Sequence, residues 1–345
     1  MSFFEFLADN TPSDPMMDHW LFGLVKLAIT FGLLIIPSLF FMTHFERKLS
    51  ADLQARVGPN RAGWAGATQS IADLLKLLQK DTRQKQPRWS WPTLQVVALF
   101  SILSVLPLGS SVLLLDTGMS GFLPFFSFSV YVLASVFYGL EQKKMEGGLS
   151  GLRVGAQFVS GLFPAMTALM AAGIRAGGFR WSDFVASQSS HLFGWAIFSD
   201  PFQFLAFVVF VASGLVILGV PPLHSGYSEV ELRGGVTSFY SGSELGLFRV
   251  SRLFAAFYWA VFSTTLFLGG WSGLGELAPP VAGFAEVVWV LMKSFGLLFI
   301  ILLVARSTPR VRADQVTDFA WKILCPLGLV ALLGTAAWNA GRVTF

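Results

Sequence analysis

Between residues 46 and 80 the chain gathers side chains suited to holding a polar ligand. They are Glu46-Arg47-Lys48, then Arg56 and Arg61 in Gln54-Ala55-Arg56-Val57-Gly58-Pro59-Asn60-Arg61, then Asp73, Lys76 and Lys80 beyond Gln69. A second basic cluster reads Arg306-Ser307-Thr308-Pro309-Arg310-Val311-Arg312-Ala313-Asp314-Gln315, with Trp321-Lys322 after it. A guanidinium donates in-plane hydrogen bonds to a carbonyl or clamps a carboxylate, a geometry that lysine does not reproduce. The plainest account of the first cluster is an interfacial helix with solvated charges, and of the second a juxtamembrane anchor touching anionic lipid. Gly58-Pro59-Asn60 is turn chemistry that stops a helix from running on. Past it, Ile71, Leu74, Leu75 and Leu78 share one helical face, and Asp73, Lys76 and Lys80 share another.

What must position these residues is a membrane. Of 345 residues 54% are hydrophobic, 15% aromatic and only 13% charged, against about a quarter charged in a soluble domain. With 35 Phe, 11 Trp and a mean hydropathy of +0.64, the apolar material exceeds what one core can hide. A water-soluble globule is excluded, and the expected fold is an all-α polytopic membrane protein. Eight apolar runs approach spanning length, at 21–42, 94–115, 122–140, 154–174, 202–220, 253–270, 287–305 and 323–338. The last is short, with Pro326 placed in its first turn, where proline is tolerated.

Nineteen Lys and Arg fall in the odd-numbered connections, whereas the even ones hold only Arg175 and Arg180 and the tail only Arg342. By the positive-inside rule both termini lie on the outer side and the odd connections in the cytoplasm. The basic residues therefore orient the chain and do not indicate nucleic acid. No internal repeat or linker divides it, so residues 1–345 are expected to form one membrane domain, with an amphipathic cytoplasmic segment at about 43–93 and a cytoplasmic loop at about 221–252. No cleavage site follows the first apolar run, so no signal peptide is expected. The lone Cys325 sits in an apolar run and reads as a packing residue, and the four histidines lack metal-ligand spacing.

The ordered pattern E-R-K, Q-x-R-x-G-P-N-R-x-G, G-x-x-Q-x-x-A-D-x-x-K-L and, near the other end, R-x-x-x-P-R-x-R-x-D-Q with W-K resembles the H subunit (also called subunit 1) of respiratory complex I, the NADH:quinone oxidoreductase. The likeness runs from about Phe41 to Leu332. It implies a membrane subunit that forms the quinone chamber, linked to a proton-translocating arm. Glu46, Arg47, Arg56, Asp73 and Lys76 would then floor the chamber, bordered by Arg306, Arg310 and Asp314. Quinone would be the bound substrate. Flavin and iron-sulfur clusters would belong to partner subunits, since this chain shows no nicotinamide or flavin fingerprint. The implied partners are peripheral iron-sulfur and quinone-site subunits, antiporter-like membrane subunits and membrane lipid. The implied location is an energy-transducing inner membrane.

The chain departs from that pattern after span five. Where the family resembles F-D-x-P-E-x-E-x-E-L, this sequence reads Leu223-His224-Ser225-Gly226-Tyr227-Ser228-Glu229-Val230-Glu231-Leu232. Carboxylates are also expected, and missing, at Leu162, Phe239 and Arg252. Intramembrane carboxylates are costly and are usually kept for proton or ion transfer, so coupling is expected to be weakened. His224, Glu229 and Glu231 remain as titratable candidates, histidine exchanging protons near neutral pH. Two further readings stay open: a membrane anchor of a complex I related hydrogenase or formate hydrogenlyase, and an independent ion transporter. Against the latter, Lys26 and Lys293 are the only basic residues within the spans.

Overall fold

The computed structural model describes residues 28, 32, 36–80, 90–103, 107–110, 113, 116–141, 145–188, 191–223, 235–236, 241–273, 279–309 and 311–343. Among them there is no strand, and the helices are α1 Ile36–Leu53, α2 Gln69–Gln79, α3 Ser90–Leu103, α4 Leu123–Glu141, α5 Met145–Ala176, α6 Trp181–Ala186, α7 Ala196–Ser199, α8 Pro201–Leu218, α9 Gly242–Phe267, α10 Pro279–Ser307, α11 Ala313–Phe319 and α12 Cys325–Val343. The protein is an all-α, multi-pass membrane protein. Among the described residues six stretches are long and apolar enough to cross a bilayer: Ser120–Glu141, Met145–Ala176, Pro201–Leu218, Gly242–Phe267, Gly283–Ser307 and Ala313–Gly341. They match the last six expected spans. The expected span 21–42 lies mostly outside the described residues, and 94–115 is represented by α3, which has 14 residues.

Three boundaries differ from the hydropathy reading, each for a physical reason. Helix α5 begins at Met145 instead of 154, because Gly139 of α4 and Gly151 of α5 let the two backbones touch. A Cβ on Gly139 would lie 2.9 Å from the Gly147 carbonyl oxygen, so small residues set this close approach. Helix α9 begins at Gly242 instead of 253, with Glu244 in its first turn, where a carboxylate complements the positive end of the helix dipole. The last span does not start at 323. Helix runs from Ala313 through a wide π turn at Ala320–Leu324, where the Cys325 N–H bonds the Ala320 carbonyl, and on into α12. Proline lacks an N–H and its ring crowds the carbonyl four residues back, and the π turn just ahead opens the backbone there.

The centre of the bundle is aromatic. Phe210 stacks on Trp259 at 4.8 Å, Phe125, Phe128 and Phe262 pack edge-on around them, and Trp181 is edge-on to Phe262. Edge and offset contacts of this kind add about 0.5–1.5 kcal/mol per pair beyond the buried area. Buried amides tie helices through their backbones. Gln203 of α8 donates to the Ala171 carbonyl of α5 (3.0 Å) and to Thr335 of α12 (3.3 Å). Arg47 and Lys48 near the end of α1, Lys76 of α2 and Arg306 at the end of α10 lie at one end of the bundle, where the Arg47–Asp73 and Glu46–Arg306 pairs join the three helices.

Candidate functional site at the basic end

Helix α1 carries Glu46 and Arg47 on its last turns and is held from two sides. Arg47 Nη1 reaches Asp73 Oδ2 of α2 at 2.5 Å, and Gln69 Nε2 donates to the other carboxylate oxygen at 2.9 Å. Glu46 Oε1 pairs with Arg306 Nη2 at the end of α10. Phe45, just before Glu46, packs on Phe299 of α10 at 5.5 Å. Partial burial pushes the Asp73 carboxyl up. The hydrogen bonds from Arg47 and Gln69, with the charges of Arg47 and Lys76, outweigh that and hold it below the usual carboxylate value of 3.8. Asp73 is thus an anion at neutral pH.

Helix α2 lies against the start of α9, where Leu74 and Leu77 face Gly246. Its expected apolar face is divided by this packing. Leu74 turns inward, whereas Ile71, Leu75 and Leu78 stay exposed.

The structure therefore brings Glu46, Arg47, Asp73 and Arg306 into two ion pairs sharing α1, with Lys76 one turn from Asp73 and exposed. It does not bring Arg56 to them. Helix α1 ends at Leu53, ahead of the Gly58-Pro59-Asn60 turn, and Ala55 takes φ +51°. That reversal leaves Arg56 exposed, its Nε donating to Gln54 Oε1 at 2.7 Å. Asp314 is exposed in the first turn of α11. Arg310, His224, Glu229, Glu231, Tyr227 and Phe239 lie outside the described residues.

Two positions that depart from the acidic pattern have a structural use. Arg252 of α9 donates through Nη2 to the Gly219 carbonyl at 2.7 Å, and Gly219 takes φ +58° just past the C-terminus of α8. A cation there satisfies orphan carbonyls and the negative end of the helix dipole. Gln157 of α5 donates to the Val216 carbonyl at 2.8 Å and to that of Leu223. Leu162 packs against the apolar core.

Sequence reasoning missed three residues. Glu244, five positions after Phe239, is fully buried in the first turn of α9. A single carboxylate in Ser241-Gly242-Ser243-Glu244-Leu245-Gly246 was its only signal. His44 has its Nδ1 shut off from solvent with no hydrogen-bond partner among the described residues, two residues before Glu46. Its proximity to the Glu-Arg-Lys motif could have drawn notice. Asp200, fully buried at the head of α8, lies 3.8 Å from Arg175, a pairing that no sequence spacing displays.

Residues 25–336 match the family described as NADH dehydrogenase. The chain is 33% identical over 341 residues to the H subunit of the NADH-quinone oxidoreductase of Geobacillus kaustophilus (strain HTA426), covering 94% of this chain and 99% of that protein. Its fold is similar to a chain in the membrane-bound sulfane sulfur reductase, an archaeal respiratory membrane complex. The TM-score is 0.76 at 21% identity, over 92% of this chain and 99% of the other.

Proposed function

The chain belongs to the NADH dehydrogenase family, and from that premise we propose that its basic end is the membrane wall of a quinone chamber in a multi-subunit NADH:quinone oxidoreductase. The observation that carries this reading is α1 clamped between α2 and α10 by Arg47–Asp73 and Glu46–Arg306, above an apolar helical bundle. A quinone has an apolar tail and two carbonyls, so its site needs an apolar passage ending in hydrogen-bond donors. Arg47, Arg306 and Lys76 supply donors, joined in this reading by Arg56 and Arg310. Glu46 and Asp73 orient Arg306 and Arg47, and Asp314 belongs to the same wall in this reading. Quinone is the substrate, and the electrons come from partner subunits that carry flavin and iron-sulfur clusters. The partners are peripheral iron-sulfur and quinone-site subunits on the basic face and antiporter-like subunits beside it. The membrane is the energy-transducing inner membrane, with both termini outside.

Coupling to proton transfer is weakened in this reading. Arg252 and Leu162 stand where the pattern has carboxylates, and an arginine does not deprotonate at physiological pH. His224, Glu229 and Glu231 are the remaining candidates. The same departures favour a second reading, the membrane anchor of a related hydrogenase or formate hydrogenlyase, an assembly that need not use quinone.

The test purifies the intact assembly and compares Arg47→Ala and Arg306→Ala with the parent. Quinone reduction is expected to fall while the subunits stay assembled. Wild-type quinone kinetics in both assembled variants would overturn the chamber assignment. A nickel-iron subunit in place of a flavin subunit would favour the second reading.

A further inference from the structure

Lys293 lies in the membrane-crossing part of α10, about 15 Å along the helix from Gly283 at 1.5 Å per residue. Its ammonium donates to three carbonyls of the turn that follows α9: Leu268 at 2.8 Å, Gly270 at 2.9 Å and Ser272 at 3.3 Å. It also sits 4.4 Å from the ring centre of Trp195 and 5.0 Å from that of Trp289. An ammonium has three N–H donors, and all three are used. Among the described residues no carboxylate forms an ion pair with it. The positive charge is balanced by carbonyl dipoles, the negative end of α9 and two aromatic faces.

This cage is built from groups held by bonds of their own. Gly269 at φ +77° and Gly270 at φ +47° put the turn in the left-handed conformation that lets its carbonyls converge. Buried Gln188 supports the turn from behind. Its Oε1 accepts the Gly269 N–H at 2.8 Å and the Ala196 N–H at 3.1 Å, while Nε2 donates to the carbonyls of Thr265 and Leu266. Trp289 Nε1 donates to the Ser272 carbonyl at 3.0 Å, fixing one aromatic wall to the same turn. Neutral oxygens converging on one point, with aromatic faces beside them, are the donor set of a monovalent cation or a primary ammonium.

We propose that the Leu268–Ser272 turn, walled by Trp195 and Trp289, is a monovalent-cation site whose resident ion is the protein's own Lys293 ammonium. The tethered ammonium closes the site to free sodium, potassium and alkylammonium ions. Removing it while the cage persists creates a site of that class within the membrane.

The experiment uses the full chain, purified with the subunits that accompany it. Lys293→Ala and the parent are melted in rubidium, n-propylammonium or choline chloride at matched ionic strength. Lys293→Ala is expected to melt below the parent in choline and to rise saturably with rubidium or n-propylammonium, while the parent is indifferent to the salt. Equal melting of variant and parent in choline, no rise with either small cation, or an equal rise with choline overturns the proposal. Lys293→Met keeps the stem's packing and covers the case in which the alanine variant does not accumulate. In equilibrium dialysis it is expected to retain one more rubidium ion per chain than the parent. Equal retention by the two overturns the proposal.

Discussion

The two ends of the bundle handle charge in opposite ways. At the basic end the pairs Arg47–Asp73 and Glu46–Arg306 join side chain to side chain, with relative side-chain exposures of 40% and 28% in the first and 29% and 38% in the second. Toward the other end, Asp200 is fully buried beside Arg175, and Lys293 is bound to backbone carbonyls. Exposed pairs between flexible side chains are worth little to stability, a median of about 0–1 kcal/mol. A buried charge that loses its partner costs about 3–5 kcal/mol. The basic end can therefore rearrange its donors around a ligand at little cost, whereas the far end is committed to one arrangement. Residues concerned with ligand are expected where the pairing is cheap.

The largest effect expected from this contrast is at Asp200. Asp200→Ala replaces the fully buried carboxylate 3.8 Å from the mostly buried Arg175 guanidinium by a methyl and is expected to destabilise the protein by about 2–3 kcal/mol. Thermal unfolding in detergent reads this directly, and a loss below about 1 kcal/mol would show that the far end is as forgiving as the basic end.

Arg306→Ala should behave the other way round. Its pair with Glu46 is part-exposed, so the stability change is expected to stay within about 1 kcal/mol. Quinone reduction by the assembled complex is expected to fall about tenfold, the equivalent of about 1.4 kcal/mol of lost donor contact. Measuring melting and turnover on the same preparation sharpens the comparison, because a purely structural residue would lower both together.

The pH response distinguishes the ends more gently. Asp73 has its value lowered on folding, so its contribution is complete above the unfolded value near 3.8 and is lost as pH falls through the lower folded value. The stability difference between the parent and Asp73→Asn is expected to be constant from pH 5 to pH 8. It should shrink only below about pH 4. A difference that changes around pH 6 to 7 would mean that another group controls the tie.

The smallest effect is expected at Ala55, held at φ +51°. An L-residue there carries about 1–2 kcal/mol of strain, while glycine adds unfolded-chain entropy of about 0.5–1 kcal/mol. Ala55→Gly is therefore expected to stabilise the chain by up to about 1 kcal/mol, detectable as a small rise in melting temperature. A decrease would show that the methyl makes a contact outweighing the strain.

Much was legible in the residues alone. Hydropathy and composition sufficed for the all-α membrane fold, because apolar side chains in excess of a core have only lipid to face, and a backbone in lipid must satisfy its own hydrogen bonds as helix. The ordered motifs around Arg47, Asp73 and Arg306 identified the family. Helix limits were less legible. Met145–Gly151 and Gly242–Arg252 look like loop by hydropathy, yet both are helical because neighbouring helices accept them. Only the tertiary structure decided which charges meet. Glu46 and Arg306 are 260 residues apart and are paired because α1 and α10 are neighbours. Arg252 reads in the sequence as a lost carboxylate and in the fold as the cap of α8. Lys293 likewise reads as an isolated cation in an apolar run, while the turn after α9 supplies its carbonyls. Solvent transfer is a property that each segment carries along the chain, whereas an ion pair, a helix cap or a carbonyl cage exists only when separate segments are packed at hydrogen-bond distance.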